Sequence, residues 1–216
     1  MTLTQEKILN KNAPEIENFA VIVLAAGQSS RLGKMKQLLP VNGKVLIVRQ
    51  LEKALAISNN VYCVLGHQAE RVQTCFEHLP IKTIINSSWS SGMASSIAVG
   101  VNALSANIEA VMIVLVDQWR LASEDLAQQK NCWQTQADLI VAAKNSNSEG
   151  RMSIGPPVVF PCKYFTELSQ LTGEQGAKTL LMKYRDNLLA VPMGNAFIDV
   201  DTPEQLANMN KFLSER

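Results

Sequence analysis

Between positions 27 and 36 the chain crowds two hydroxyls and three cations onto one short stretch: Ser29, Ser30, Arg31, Lys34 and Lys36. Just before them come Ala25, Ala26 and Gly27, residues with almost no side chain. Small residues let a ligand lie against the main chain, where free N–H groups can hold phosphate oxygens. Cations on the same loop can neutralise several phosphate charges at once. The chemistry this pattern suits is the binding of a polyphosphate. A carboxylate far along the chain adds to it. Asp117 follows the most apolar stretch of the sequence, residues 110–116, so its charge must emerge at a strand end or stay buried at high cost. At a strand end facing the loop it would ligate a hard cation. Mg²⁺ takes one or two protein carboxylates and fills its remaining positions with water and phosphate oxygens. The second carboxylate is Asp199 or Asp201, which the alternation of a strand over 197–200 would set on one face, separated by Val200.

Two better-known phosphate loops do not fit. The P-loop reads G-x-x-x-x-G-K-[ST], whereas here residues 28–32 separate Gly27 from Gly33-Lys34, and Met35 follows. The dinucleotide fingerprint G-x-G-x-x-G fails because Ser29 stands at its second glycine.

These residues need elements to hold them. Residues 21–24 form an apolar, β-branched run that reads as a strand buried on both faces. It ends at the loop, where open parallel sheets bind ligands. Asn42-Gly43 predicts a turn, and Val45, Val48, Leu51 and Leu55 predict a helix over 44–57. Further strands are expected at 61–65, ended by Gly66, and at 82–85, 110–116, 139–143, 157–160, 188–191 and 197–200. Helices are expected at 67–78, 93–104, 163–171 and 176–184, with another capped by Ser123 and led by Glu124 and Asp125. Residues 86–92 and 144–155 read as polar loops. Thr202-Pro203-Glu204-Gln205 starts a last helix, with Thr202 as cap, Pro203 at the first helical position and Gln205 closing a capping box. Its inner face carries Leu206, Met209 and Leu213. Strands alternating with helices predict an α/β, Rossmann-like three-layer sandwich around a mostly parallel sheet.

A chain of 216 residues supports one substantial core. We expect a lead-in over residues 1–18, mobile or forming a short docking helix, and a single domain over 19–216. Its 47% hydrophobic and 18% charged content suits an ordinary globular protein. A net charge of +1 argues against broad binding to nucleic acid or an anionic membrane. The first residues are polar, and no run is apolar enough to span a bilayer. Cys63, Cys75, Cys132 and Cys162 form no metal-like pattern. A cytoplasmic protein with reduced thiols is expected.

The stretch Leu24-Ala-Ala-Gly-x-Ser-x-Arg-x-Gly-x-x-Lys-x-Leu-Leu-Pro40 resembles the signature of the MobA-like nucleotidyltransferases. It is most similar to their molybdenum cofactor cytidylyltransferase (MocA-type) branch. The resemblance implies a nucleotide-diphospho-sugar transferase-like fold that binds an NTP with Mg²⁺. It implies CMP transfer from CTP to a molybdopterin-type cofactor, a phosphorylated pterin, with release of pyrophosphate. Arg31, Lys36 and Asp117 would be catalytic. Leu24, Ala25, Ala26, Gly27, Ser29 and Gly66 would contact the nucleotide together with those three. Gly92-Met-Ala-Ser-Ser96 resembles the family's Gly-Met-x-x-Ser segment, which adds Ser95 and Ser96. Asp201-Thr-Pro-Glu204 resembles its late motif and favours Asp201 over Asp199 as the second metal ligand beside Asp117. Gly173-Glu-Gln-Gly-Ala177 resembles an acceptor-side segment, which puts Glu174 and Gly176 there with Gln118 and Trp119. The family pattern has proline where Trp119 stands, and Gly-His-Pro where residues 155–157 read Gly-Pro-Pro. Two alternatives therefore stand beside the first reading. One is NMP transfer from GTP or another NTP to a different acceptor. The other is a non-catalytic protein that delivers cofactor to a molybdoenzyme.

Overall fold

The computed structural model describes residues 18–146 and 151–215. In chain order the strands are β1 (Phe19–Leu24), β2 (Pro40–Val41), β3 (Lys44–Val45), β4 (Asn60–Leu65), β5 (Lys82–Ile85), β6 (Ala110–Leu115), β7 (Ile140–Ser146), β8 (Met152–Pro161) and β9 (Leu188–Pro192). The helices are α1 (Leu46–Leu55), α2 (Ala69–Gln73), α3 (Met93–Asn102), α4 (Ser123–Thr135), α5 (Phe165–Ser169), α6 (Lys178–Lys183) and α7 (Pro203–Ser214). Every residue of β1 is buried, because parallel neighbours flank it on both edges and helices cover both faces. Its alternating side chains divide the core in two. Val21 and Val23 pack with α1, α4 and α7, whereas Ala20, Ile22 and Leu24 pack with α3, α5 and α6. This is the expected three-layer α/β sandwich.

Seven strands form one sheet in the order β5-β4-β1-β6-β8-β7-β9. The pairs β5-β4, β4-β1, β1-β6 and β7-β9 are parallel; β8 runs antiparallel to both β6 and β7. The chain leaves β1 toward β4 on one side and returns to β6 on the other. The carboxyl end of β1 is thus a topological switch point, the place where such sheets leave a crevice.

Four expectations need correction. The helix over 67–78 is confined to α2, although Val72 and Phe76 still bury their side chains. Most of the 144–155 stretch is extended. Lys144 pairs with Ile154, Asn145 with Ser153 and Ser146 with Met152, so its polar residues find ladder partners that composition does not reveal; residues 147–150 lie outside the described residues. No strand forms over 197–200. A 3-10 turn, Gly194–Phe197, buries Ala196, and the irregular connection after it buries Val200 without joining the sheet. Finally, Ala122 rather than Ser123 precedes α4, and the Asp125 carboxylate accepts its N–H at 2.9 Å. The α7 capping box forms as expected, with Gln205 N–H on Thr202 Oγ1 at 3.3 Å and Thr202 N–H on Gln205 Oε1 at 3.0 Å. Residues 1–17 of the expected lead-in lie outside the described residues. Among the described residues no helix is long and apolar enough to cross a membrane.

Candidate active site

Parallel pairing places Leu24 opposite Leu115, so the chain leaves β1 and β6 side by side. The ladder continues past both strand ends: Ala25 N–H bonds Val64 O at 2.9 Å, and Val116 N–H bonds Leu24 O at 3.2 Å. Asp117 is thereby delivered to the first loop. The loop closes back on itself. Ser29 sits at φ +59°, and its hydroxyl accepts the Lys36 N–H at 3.3 Å. Gln37 is fully buried and donates its amide to both Ala25 O and Gly27 O at 2.8 Å. Two bonds from one side chain brace the small-residue wall.

The Lys36 ammonium lies 2.6 Å from Asp117 Oδ2 and 2.6 Å from Asp201 Oδ1. Arg31 reaches the other Asp201 oxygen at 2.9 Å, with its own side chain 73% exposed. Burial by itself would lower the Lys36 pKa. The charges and hydrogen bonds of Asp117 and Asp201 outweigh it, so the net shift is upward and the cation is secured. Asp199 is pushed above the usual carboxylate range, first by burial and then by the negative charges of Asp117 and Asp201. Its Oδ1 accepts the Gln205 amide at 2.8 Å.

This donor set offers carboxylate oxygen to a divalent cation chiefly through Asp117 Oδ1, since Asp117 Oδ2 and both Asp201 oxygens are bonded to Lys36 and Arg31. Carboxylates at 117, 199 and 201 outnumber the two cations near them, and Asp117 Oδ1 is buried with no hydrogen-bond partner. Among the described residues no group of three or more His, Cys, Asp or Glu side chains is arranged to hold a metal ion alone. Water and phosphate oxygens would have to complete the shell, as Mg²⁺ prefers.

A cleft of about 390 Å³ opens over this ground, lined by residues 24–30, Lys36, Gln37, Trp89, Ser96, Asp117 and Glu174 among others. Leu24, Ala25, Ala26, Gly27, Ser29, Lys36, Ser96, Asp117 and Glu174 therefore meet at one place. Other expected residues stand elsewhere. Gly66 supports the cleft from behind, since a Cβ there would lie 2.5 Å from Trp89 Cβ and 2.8 Å from Ala26 O. Ser95 is absorbed by the 86–92 turn, accepting from the Asn86 amide at 2.9 Å and bonding Gly92 O at 2.8 Å. Gly176 is buried beside Met93, not on the cleft lining.

Gln118 and Trp119 do not face the cleft. Gln118 is buried, donating to Pro156 O and Ala196 O at 2.7 Å each. Trp119 is 7% exposed and packs edge-on against Phe212 with ring centroids 5.4 Å apart. A large ring at this position is better satisfied in the core than at a wet rim.

Trp89 and Gln37 were not singled out from sequence. Trp89 was detectable as a lone aromatic in the polar 86–92 loop; His67 braces it edge-on at 5.2 Å. Gln37 carries no charge and gave no signal beyond its place in the motif.

Residues 21–188 match the MobA-like NTP transferase domain. Nicotine blue oxidoreductase of Paenarthrobacter nicotinovorans is 28% identical over 190 residues, spanning 86% of this chain and 93% of that protein. Rv0371c of Mycobacterium tuberculosis H37Rv superposes with a TM-score of 0.76 at 25% identity, covering 90% of this chain and 98% of that one. A manganese complex of Rv0371c gives 0.73 at 23% identity, covering 90% and 99%. Because the match spans both the cationic loop and the strand end bearing Asp117, this chain belongs to the MobA-like NTP transferase family of nucleotidyltransferases.

Proposed function

We propose that this protein transfers CMP from CTP to a molybdopterin-type cofactor and releases pyrophosphate. The observation that carries the reading is the Lys36 ammonium held between Asp117 and Asp201, at the foot of a cleft walled by bare main chain. In this reading the nucleotide base lies along Ala25, Ala26 and Gly27, and Trp89 closes the opposite side. Lys36 and the exposed Arg31 hold the triphosphate and stabilise the charge that gathers on the leaving group. A terminal phosphate oxygen of the acceptor attacks the α-phosphorus. The bond from that phosphorus to the bridging oxygen breaks, and pyrophosphate departs with the electron pair. The attacking phosphate is already anionic near neutral pH, so no general base is required. Asp117 and Asp201 would hold Mg²⁺, which when bound supplies Lewis-acid stabilisation of phosphate charge. The manganese complex of the mycobacterial relative supports a divalent cation in this fold. Glu174, exposed at the rim, would meet the acceptor. The product would pass to a molybdoenzyme.

The name of the Paenarthrobacter relative motivates a second reading, in which the same cleft serves an oxidoreduction. Pyrophosphate release is the discriminating measurement. It is followed with CTP, GTP and other NTPs, with and without molybdopterin-type acceptor, beside a parallel assay for oxidation of reduced nicotinamide nucleotides. Acceptor-dependent release with CTP is expected. Release with GTP alone would overturn the base assignment. CTP binding without turnover would favour a delivery protein, and nicotinamide oxidation without pyrophosphate would favour the redox reading.

A further inference from the structure

The cleft uses the cations of the first loop and leaves those of α1 without a task. A second cavity, of about 530 Å³, opens between α1, residues 119–122, the start of α4 and the end of α7. It shares no lining residue with the cleft. Arg49 and Lys53, one helical turn apart on α1, both line it. Lys53 is only 9% exposed, yet it donates to neutral oxygens alone, Gln50 Oε1 at 2.9 Å and Trp119 O at 3.4 Å. Arg49 Nε is buried with no hydrogen-bond partner. Among the described residues neither cation forms an ion pair. Glu52, on the same wall, is taken by Lys44 at 2.5 Å, and Glu124 stays exposed on the first turn of α4. Burial, and after it the Arg49 charge, pull the Lys53 pKa down to about 8 against the opposing attraction of Asp125.

An unmatched buried cation and an orphaned buried donor are each costly. One anion in the cavity would relieve both. The third cation on this wall, Arg120, lies 4.3 Å over the Phe212 ring. The start of α4 adds no free positive end, because Glu124 and Asp125 stand in its first turn and Asp125 accepts the Ala122 N–H. We propose that this cavity is a binding site for a phosphate-bearing anion, separate from the cleft, with Arg49 and Lys53 as its charged donors. The site touches the machinery of the cleft through one side chain. Lys53 bonds Gln50, whose amide donates at 2.8 Å to Gln118 O, next to Asp117.

Calorimetric titration of the full chain with pyrophosphate, and separately with inorganic phosphate, tests this in wild type, Lys36→Ala and Arg49→Gln. The expected result is a binding event that Lys36→Ala leaves in place and Arg49→Gln weakens by at least about tenfold. Lys53→Met is expected to weaken the same event. Arg49→Gln is the primary variant because position 49 is partly exposed and its Nε has no hydrogen-bond partner among the described residues. Tighter binding of inorganic phosphate assigns the free ion; tighter binding of pyrophosphate assigns a phosphate ester or anhydride. Heat of binding is read without turnover, so the result stands apart from the nucleotidyl-transfer reading. Binding abolished by Lys36→Ala and untouched by Arg49→Gln would overturn the proposal, as would no binding of either probe to the wild type.

Discussion

In the cleft, Lys36 meets Asp117 and Asp201 at 2.6 Å each; in the second cavity Lys53, also buried, donates among the described residues to the neutral oxygens of Gln50 and Trp119. Burial penalises both ammonium groups. Carboxylates reverse that penalty at Lys36, whose pKa rises, while Arg49 deepens it at Lys53, whose pKa falls to about 8. A matched cation is a tool already in place, fixed in position before any ligand arrives. An unmatched one is a cost borne by the fold, and it becomes intelligible once a ligand completes it.

The largest effects should break the matched side. Asp117→Ala is expected to lower pyrophosphate release by at least about a thousandfold, since it removes the proposed metal carboxylate and one partner of Lys36. An unchanged rate would remove Asp117 from the chemistry. Lys36→Met should cost about a hundredfold or more in kcat/KM. Equal rates for mutant and wild type would show that the ammonium is only a structural clamp.

The unmatched side sharpens the contrast through stability. A depressed lysine pKa means the unfolded chain binds more protons than the folded one between about 8 and 10.5. Stability from Lys53 is therefore fully present above 10.5, falls as pH drops from there toward about 8, and is lost below it. Lys53→Met should raise stability at pH 7 by about 1–3 kcal/mol and flatten the rise toward pH 10 in denaturant titrations. A steeper pH dependence in the mutant would contradict this sign. Smallest is Arg31→Ala. Its bridge to Asp201 is mostly exposed, so stability should change by about 0.5 kcal/mol or less. Transfer rates should still fall about tenfold if the guanidinium serves the triphosphate.

Sequence reading was strongest where neighbours along the chain decide the outcome. The apolar run of β1, the small residues after it and the Thr202-Gln205 capping box are local patterns, and all three stand in the structure. It was weakest where a residue could satisfy itself in two ways. Trp119 read as a cleft-mouth ring because its partner Phe212 lies far along the chain, and the 197–200 stretch read as a strand because its apolar residues bury without a ladder. Ser95 and Gln118 carry the right atoms for a ligand, but turn and backbone oxygens claim them first.

Composition and local spacing by themselves determined a layered α/β chain with a cationic, small-residue loop after its first strand, since strand burial, loop composition and helix capping act over a few residues. Only the tertiary structure decided which charges meet. Lys36 and Asp201 stand 165 positions apart, and the sheet order together with the path after β9 brings them into contact. The same folding left Arg49 and Lys53 without an ion pair among the described residues, because two cations at helical spacing look alike in sequence whether water or protein surrounds them.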